Sequence, residues 1–449
     1  MNKIEEKLAL LGGPKAVNGA NEELFRWPII TAEDEEAVLD VLRRGGMSGT
    51  DVTEQFEREM ADWLGVPYAL GFHNGTASLQ AAMFGCGVGV GDEVIAPALT
   101  YWATAMPAFS LGASVVFADI DPVTLGLDAA DIERRITSRT KAIVVVHYLS
   151  HPADMDPILQ VAAKHGVKVI EDVSHALGGL YKGRPLGTIG DVGAMSMMTG
   201  KAFAIGEGGM MVTRDQTVYE RAIAFGHYER YGSNIETPEL QPYIGIPLGG
   251  IKYRMHQLSS AVGRVQLKYY EERIAEIERA MSYFWEGLSG LPGIRPHRPE
   301  AGSGSRNGGW YAARGRYEPV ALGGLSVTSF CAALRAEGVL SVSPGCNLPL
   351  HLHPFFHSAD VYGHGKPTNL AHANRDLRQP VGSLPVTESI SARLFALPWF
   401  KHEWRDQIDE YVLAFRKVIA QHQELLAVDT GNPPTLGGWH FFNHSSKKD

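Results

Sequence analysis

Asp172 closes the apolar run Val-Lys-Val-Ile-Glu-Asp, and Lys201 follows one such run later, inside a glycine-rich stretch. Open α/β sheets hold ligands at the carboxyl ends of their strands. An amine that can bond to an aldehyde and an acid that can keep a ring nitrogen protonated are what pyridoxal phosphate asks of a protein. Alone, the pair reads more simply as a helix cap and a surface lysine, and its surroundings change that reading. Asn74-Gly75-Thr76-Ala77-Ser78-Leu79 follows an apolar run and opens a helix-like stretch. The backbone N–H groups of Thr76 and Ala77 would then face an anion, most naturally a phosphate, at the positive end of the helix dipole. A plain N-cap by Asn74 or Thr76 accounts for the same residues. Tyr101, in Thr100-Tyr101-Trp102 just past Pro97, is placed either to stack on a flat ring or to pack in a core.

The elements that must position these groups recur with a regular rhythm. Short apolar runs at Tyr68–Phe72, Glu93–Pro97, Ser114–Ala118, Ala142–His147, Val167–Glu171, Gly193–Met198 and Gly209–Thr213 read as strands. Helix-like stretches such as Thr76–Phe84, Ala130–Ile136 and Met155–His165 lie between them. Alternation of this kind predicts an α/β fold with a mostly parallel seven-stranded sheet covered on both faces by helices. Before it, Thr31 followed by Glu33, Asp34, Glu35 and Glu36 reads as a capped helix start. After about residue 215 the rhythm breaks into a loop with Pro238, Pro242 and Pro247, then a long helical pattern over Met255–Leu288. The expected organisation is an N-terminal arm (1–30), a large α/β domain (31–254), a connecting helix (255–290), a smaller C-terminal α+β domain (291–425) and a tail (426–449). From Asn432 onward the tail, with two prolines and two glycines before Trp439, is expected to pack poorly or to drape over a partner.

Composition narrows the classes of function. The 449 residues suit two or three domains, and 45% hydrophobic with 20% charged residues excludes a wholly disordered or fibrous chain. With 41 basic against 50 acidic side chains, a net charge of -9 offers no footprint for nucleic acid or anionic membrane. Cys86, Cys331 and Cys346 are far apart and form no Cys-x-x-Cys pair, so neither a disulfide framework nor a zinc site is expected. That usage suits a reducing cytoplasm, and no apolar run is long enough to cross a membrane. The glycines of Gly85–Gly91 precede a strand, which argues against a dinucleotide fingerprint. The alternating His351 and His353, with His357 nearby, have no carboxylate or cysteine at ligand spacing, and no metal is expected.

Taken together the motifs resemble the DegT/StrS family of sugar aminotransferases, fold-type I pyridoxal-phosphate enzymes, from about residue 8 to about residue 418. The family's Gly-Thr-Ala-x-Leu loop stands at Gly75–Leu79, its Thr-aromatic pair at Thr100-Tyr101, and its Pro-Ala-Asp-Met-Asp turn at Pro152–Asp156. Its Glu-Asp-x-x-(Gln or His)-Ala segment is Glu171–Ala176, and its Ser-x4-Lys with Gly-Glu-Gly-Gly sequel is Ser196–Lys201 with Gly206–Gly209. The resemblance implies Lys201 as the lysine bonded to the cofactor and Asp172 as the partner of the pyridine nitrogen. It implies Tyr101 on the ring, the Gly75-Thr76-Ala77 turn and Ser196 on the phosphate, and His175, where Gln is commoner, on the phenolic oxygen.

Gly250-Ile251-Lys252-Tyr253-Arg254-Met255 is similar to the family's Gly-Tyr-Asn-Tyr-Arg-Met, whose Asn reaches the neighbouring subunit's phosphate. Lys252 stands in its place, as a phosphate donor in another form or as an exposed lysine. The resemblance therefore implies a homodimer with composite sites. Arg254 either binds substrate or braces the turn. Leu350-His351-Leu352-His353-Pro354 is similar to a loop that leans into the substrate cleft, which implies that His351 or His353 contacts a hydroxyl-rich substrate. The Leu8–Val17 segment and the sequence around Lys201 are nearest the scyllo-inosose aminotransferase branch of aminocyclitol antibiotic pathways. The implied activity is transfer of an amino group from an amino acid, glutamine or glutamate, to a cyclic ketone. A nucleotide-linked keto-sugar acceptor and a non-catalytic sugar-binding relative are the alternatives. A dehydratase subgroup carries histidine in place of the lysine, and Lys201 argues against it.

Overall fold

The computed structural model describes residues 3–19 and 21–439. In chain order, α1 (Ala32–Arg43) and α2 (Asp51–Leu64) lead into β1 (Tyr68–Phe72), α3 (Gly75–Gly85), β2 (Glu93–Pro97), β3 (Ser114–Ala118) and β4 (Thr140–Val146). Then come α4 (Met155–His165), β5 (Lys168–Asp172), β6 (Val192–Ser196), β7 (Gly209–Thr213), α5 (Gln216–Gly226) and α6 (Gln257–Gly287). The seven strands form one sheet in the order β1-β7-β6-β5-β4-β2-β3. The pairs from β6 across to β3 are parallel, while β7 runs antiparallel to both β6 and β1.

A parallel sheet needs apolar side chains on both faces, because its crossover helices cover both. Alternate residues accordingly enter two cores. Val94, Val144, Ile170, Val192 and Met211 pack with α3 and α5 on one face. Ile95, Ile143, Val145, Val169 and Val212 pack with Phe56 of α2, Ile158 of α4 and Tyr270 of α6 on the other. Asp172 and Ser196 end adjacent parallel strands, so the register brings both to the same edge of the sheet.

The first half of α6 lies against α1 and α2, and Ile277, Met281, Phe284 and Trp285 of its second half enter a third core. That core sits beside a three-stranded antiparallel sheet of β8 (Ile294–Pro296), β9 (Arg314–Tyr317) and β10 (Leu394–Ala396), with α7 (Val327–Ala336) and α8 (Arg405–Ala420). Tyr317, Phe330, Phe395 and Phe415 form its aromatic centre. The N-terminal arm is tied down here: the buried Glu337 accepts the N–H groups of Ala9 and Ala16 at 2.8 and 3.0 Å and an ammonium hydrogen of Lys417 at 3.0 Å.

The C-terminal segment is exposed at residues 432–435, 437 and 438, as a poorly packed end would be, but it is fastened to this chain's own surface at three points. Asn432 accepts from Thr328, Gly438 pairs with Asn347 in a parallel bridge, and Trp439 packs against the core formed with α3. Residues 440–449 of the expected tail lie outside the described residues.

Candidate active site

At the carboxyl edge of the large sheet a cavity of about 220 Å³ is lined by Gly75, Thr76, Tyr101, Asp172, His175, Ser196 and Lys201, together with Thr104, Ser174, Met198, Glu207 and Tyr311. A larger groove of about 860 Å³ between α1, α2 and α6 is lined by charges already paired with one another, Lys268 with Glu33 at 2.8 Å and Arg264 with Glu59 at 2.7 Å.

Asp172 is buried at the end of β5, and both of its oxygens are held. Thr104 Oγ1 donates to Oδ2 at 2.8 Å and the Ser174 N–H donates to Oδ1 at 3.1 Å. Thr100 lies 2.8 Å from Thr104, so its hydroxyl donates onward into the same chain. Next to it, the wholly buried Glu171 accepts the N–H groups of Gly187, Ile189 and Gly190 at 2.7–2.9 Å and His147 Nε2–H at 2.9 Å. Burial pushes the Glu171 carboxyl up, but these donors outweigh it and hold it below the usual range. Glu171 therefore anchors the loop after β5 while Asp172 faces the cavity.

His175 is buried under the rings of Tyr148 and Tyr311. Burial, with the nearby Lys201 and Arg314 charges, pushes its imidazole well below the ordinary range, so it is neutral. The Leu149 N–H donates to Nδ1 at 3.4 Å, which leaves the proton on Nε2 as a single donor. Leu149 itself is left-handed, with φ of 54°.

Ser196 closes β6 against the start of α3. A Cβ at Gly75 would lie 2.5 Å from Ser196 Cβ and 2.7 Å from its Cα, so only glycine allows this approach. Asn74 Oδ1 accepts the Ala77 N–H at 2.9 Å. This corrects the expectation for Ala77: its amide is consumed by the cap, Ala77 is buried, and the N–H groups of Gly75 and Thr76 are the ones left to face an anion.

Lys201 sits in the loop between β6 and β7, where Met198 O accepts its N–H at 2.8 Å and its own carbonyl accepts Trp27 Nε1–H at 2.9 Å. Its Nζ lies 4.5 Å from the ring centroid of Tyr311 and 3.5 Å from the Tyr311 hydroxyl. Tyr101 is half-buried beside Trp102, and burial raises its phenol.

Besides Ala77, four of the expected residues do not line the cavity. His351 is turned away: Glu388 lies 3.0 Å from its Nε2 and also accepts the N–H groups of Gly382 and Leu384. His353 Nδ1 accepts from Phe355 N, and its ring meets Trp439 edge-on at 4.6 Å. Both histidines are thus committed to packing of their own loop. Arg254 pairs through its backbone with Phe72, as a turn brace does, and Lys252 is exposed with its Nζ 5.8 Å from the Tyr228 ring. Sequence reasoning passed over Thr104, Ser174 and Tyr311. The Thr100/Thr104 spacing was a usable signal, whereas Tyr311 stands in an irregular segment between left-handed Trp310 and Ala312 that has no periodicity to read.

The sheet order, the helix start behind Gly75 and the buried acid facing an amine define a fold-type I transferase, the fold that pyridoxal-phosphate aminotransferases use. The DegT/DnrJ/EryC1/StrS aminotransferase family matches residues 28–416, and the chain belongs to that family. It is 33% identical over 440 residues to L-glutamine:2-deoxy-scyllo-inosose aminotransferase of Streptoalloteichus tenebrarius, covering 91% of this chain and 98% of that protein. It is 38% identical over 256 residues to GDP-perosamine synthase of Caulobacter vibrioides, covering 57% and 67%. Among solved structures, DesI in the presence of its TDP-sugar product superposes with a TM-score of 0.74 at 28% identity, covering 94% of this chain and 98% of that one. The chain is an aminotransferase. No group of three or more metal-ligating side chains occurs among the described residues, and no helix there is long and apolar enough to cross a membrane.

Proposed function

We propose that the chain moves an amino group from glutamine or glutamate to the ketone of an inosose-type cyclitol, with pyridoxal 5′-phosphate as cofactor. The observation that carries this is the placing of the Lys201 amine and the doubly held Asp172 carboxylate in one small cavity. The residues fit that cofactor. Gly75 and Thr76 N–H groups with Ser196 would hold the phosphate, Tyr101 would cover the ring, and neutral His175 would donate Nε2–H to the phenolic oxygen. Asp172 would pair with the ring nitrogen, its carboxyl group oriented by Thr104 and Ser174. When bound, the cofactor supplies the aldehyde carbon that accepts the amino group and the ring that delocalises charge.

The protein's own part is positional and acid–base. Lys201 Nζ would take a proton from the donor's α-carbon and later return it elsewhere. The Tyr311 ring and hydroxyl keep that amine over the cavity, and Trp27 fixes the backbone behind it. The near full-length similarity to the inosose enzyme favours a cyclitol ketone. The similarity to GDP-perosamine synthase favours a second reading, a nucleotide-linked keto-sugar acceptor.

Lys252 is read as lent to a second copy of the chain, reaching that copy's cavity from across a two-fold axis, while Arg254 braces the turn that carries it. The support is that Lys252 is exposed and lies outside its own cavity, beside a segment with exposed Tyr228, Tyr243, Ile244, Ile246 and Leu248. The test of the function is to supply L-glutamine or L-glutamate with 2-deoxy-scyllo-inosose or a TDP-linked keto-sugar and to follow the aminated ring by mass spectrometry. Product from the cyclitol supports the first reading, product from the nucleotide sugar supports the second, and none from either overturns both.

A further inference from the structure

Residues 436–439 lie beyond the stretch that the family matches, yet they are fastened across the loop Cys346–His353. The Leu348 N–H donates to Gly438 O at 3.2 Å, beside the Gly438–Asn347 bridge. The Trp439 indole N–H reaches Pro349 O at a long 3.5 Å, and its ring meets that of His353. Leu436 packs into the core of the small sheet, while Trp439 packs into the core on the α3 side of the large one. The segment therefore ties both halves of the chain to one loop.

That loop is linked to the site through two intermediaries, Tyr148 and Ala98. Asn347 Oδ1 accepts the hydroxyl of buried Tyr148 at 2.5 Å, and the Tyr148 ring lies 5.6 Å from His175. The Leu350 N–H donates to Ala98 O at 2.8 Å, just before Thr100 and Tyr101. We propose that Leu436–Trp439 is a strap that holds the Cys346–His353 loop, and that Trp439 is a positioning residue for the acceptor. Its kinetic consequence rests on the aminotransferase function proposed above. A rigid cyclic ketone fits the cavity in few poses, whereas a flexible amino acid adapts, so a shift relayed from the loop through Tyr148 to His175 and through Ala98 to Tyr101 penalises the acceptor more than the donor.

Gly437 provides a test outside the cavity. Its φ is +101°, and a Cβ there would lie 1.8 Å from the carbonyl oxygen of Cys346, so Gly437→Ala must lift the strap. Trp439→Ala removes the ring, and Trp439→Phe keeps an aromatic against His353. Hydrogen exchange on the full chain should accelerate by about tenfold or more at Leu348 and Leu350 in Gly437→Ala and Trp439→Ala, with peptides containing Asp172 and Lys201 unchanged. With whichever of 2-deoxy-scyllo-inosose and the TDP-linked keto-sugar the unaltered enzyme converts, KM for that acceptor should rise about tenfold while kcat and the donor KM stay within about twofold. Trp439→Phe should recover most of the loss. Unchanged exchange in both variants overturns the strap, and faster exchange with an unchanged acceptor KM overturns the positioning role. If the unaltered enzyme converts neither ketone, the function proposed above fails, and the exchange result still decides whether the strap holds the loop.

Discussion

The hydroxyl of Thr104 donates to Oδ2 of Asp172 at 2.8 Å, and this contact fixes the acid that faces Lys201 across the cavity. Because the Ser174 N–H holds the other oxygen, the carboxylate has one orientation. An acid fixed in this way stabilises a positive charge without reorganising when the reaction occurs.

Asp172→Asn keeps the shape and removes the charge. Turnover is expected to fall by about a hundredfold or more, as for the loss of other preorganised electrostatic partners, with little change in melting temperature. Steady-state kinetics beside a thermal melt check this, and near-normal turnover contradicts the role.

Tyr311 presents both a ring and a hydroxyl to Lys201, and the 3.5 Å hydroxyl contact is long while the ring lies 4.5 Å from the ammonium. Tyr311→Phe should therefore cost less than about threefold in kcat, and Tyr311→Ala about tenfold or more, because only the second removes the ring that positions the Lys201 side chain. Equal losses in the two variants would assign the effect to the hydroxyl instead.

Gly75→Ala places a methyl group against the backbone of Ser196, so α3 must move away from β6. Cofactor affinity, followed by fluorescence titration, should weaken by about tenfold or more, since the helix start and Ser196 act on the same phosphate. Unaltered affinity would mean that the phosphate does not bind between them.

Stability should decline in acid through buried histidines. Burial lowers His151 to about 4 and His227 to about 3. At pH 7 both are neutral in the folded and unfolded states. Below about 6.5 the unfolded chain takes up protons that the folded chain refuses, so stability falls as pH drops from 6.5 toward 4. Urea midpoints across that range check this, and His151→Phe should flatten the slope. A midpoint that holds steady or rises toward pH 4 contradicts it.

Much of this was legible in the sequence, for reasons that particular residues show. The strands were readable because a sheet covered on both faces is apolar at nearly every position: Val94, Ile95 and Ala96 of β2 and the run Ile143 to Val146 of β4 are all buried. The place of Asp172 at a strand end was readable from the apolar run that it closes, whereas Ser196 was singled out only by the family resemblance. Helix α2 escaped mention although Val52, Phe56, Met60 and Leu64 are spaced for one buried face. The orientation of His351 depends on Glu388, far along the chain, and that of His353 on Trp439, so spacing alone suggested a substrate contact that the packing does not make. Tyr311 likewise reaches Lys201 only through tertiary folding.

A shared site predicts complementation. In a heterodimer of Lys201→Ala and Lys252→Glu chains, one of the two cavities would carry neither lesion. Equal mixing with full subunit exchange should restore about a quarter of the unaltered activity if sites are built across a two-fold axis. Recovery no greater than that of the separate variants would make Lys252 an ordinary surface lysine.

The proposed chemistry stands or falls with Lys201 as the covalent anchor of the cofactor. Borohydride reduction of the protein loaded with pyridoxal phosphate, followed by peptide mass spectrometry, reads that bond itself. A reduced adduct is expected on the peptide containing Lys201 and none in Lys201→Ala, even where that variant retains the cofactor non-covalently. An adduct that persists in Lys201→Ala, or that falls on another lysine of the unaltered chain, would contradict it.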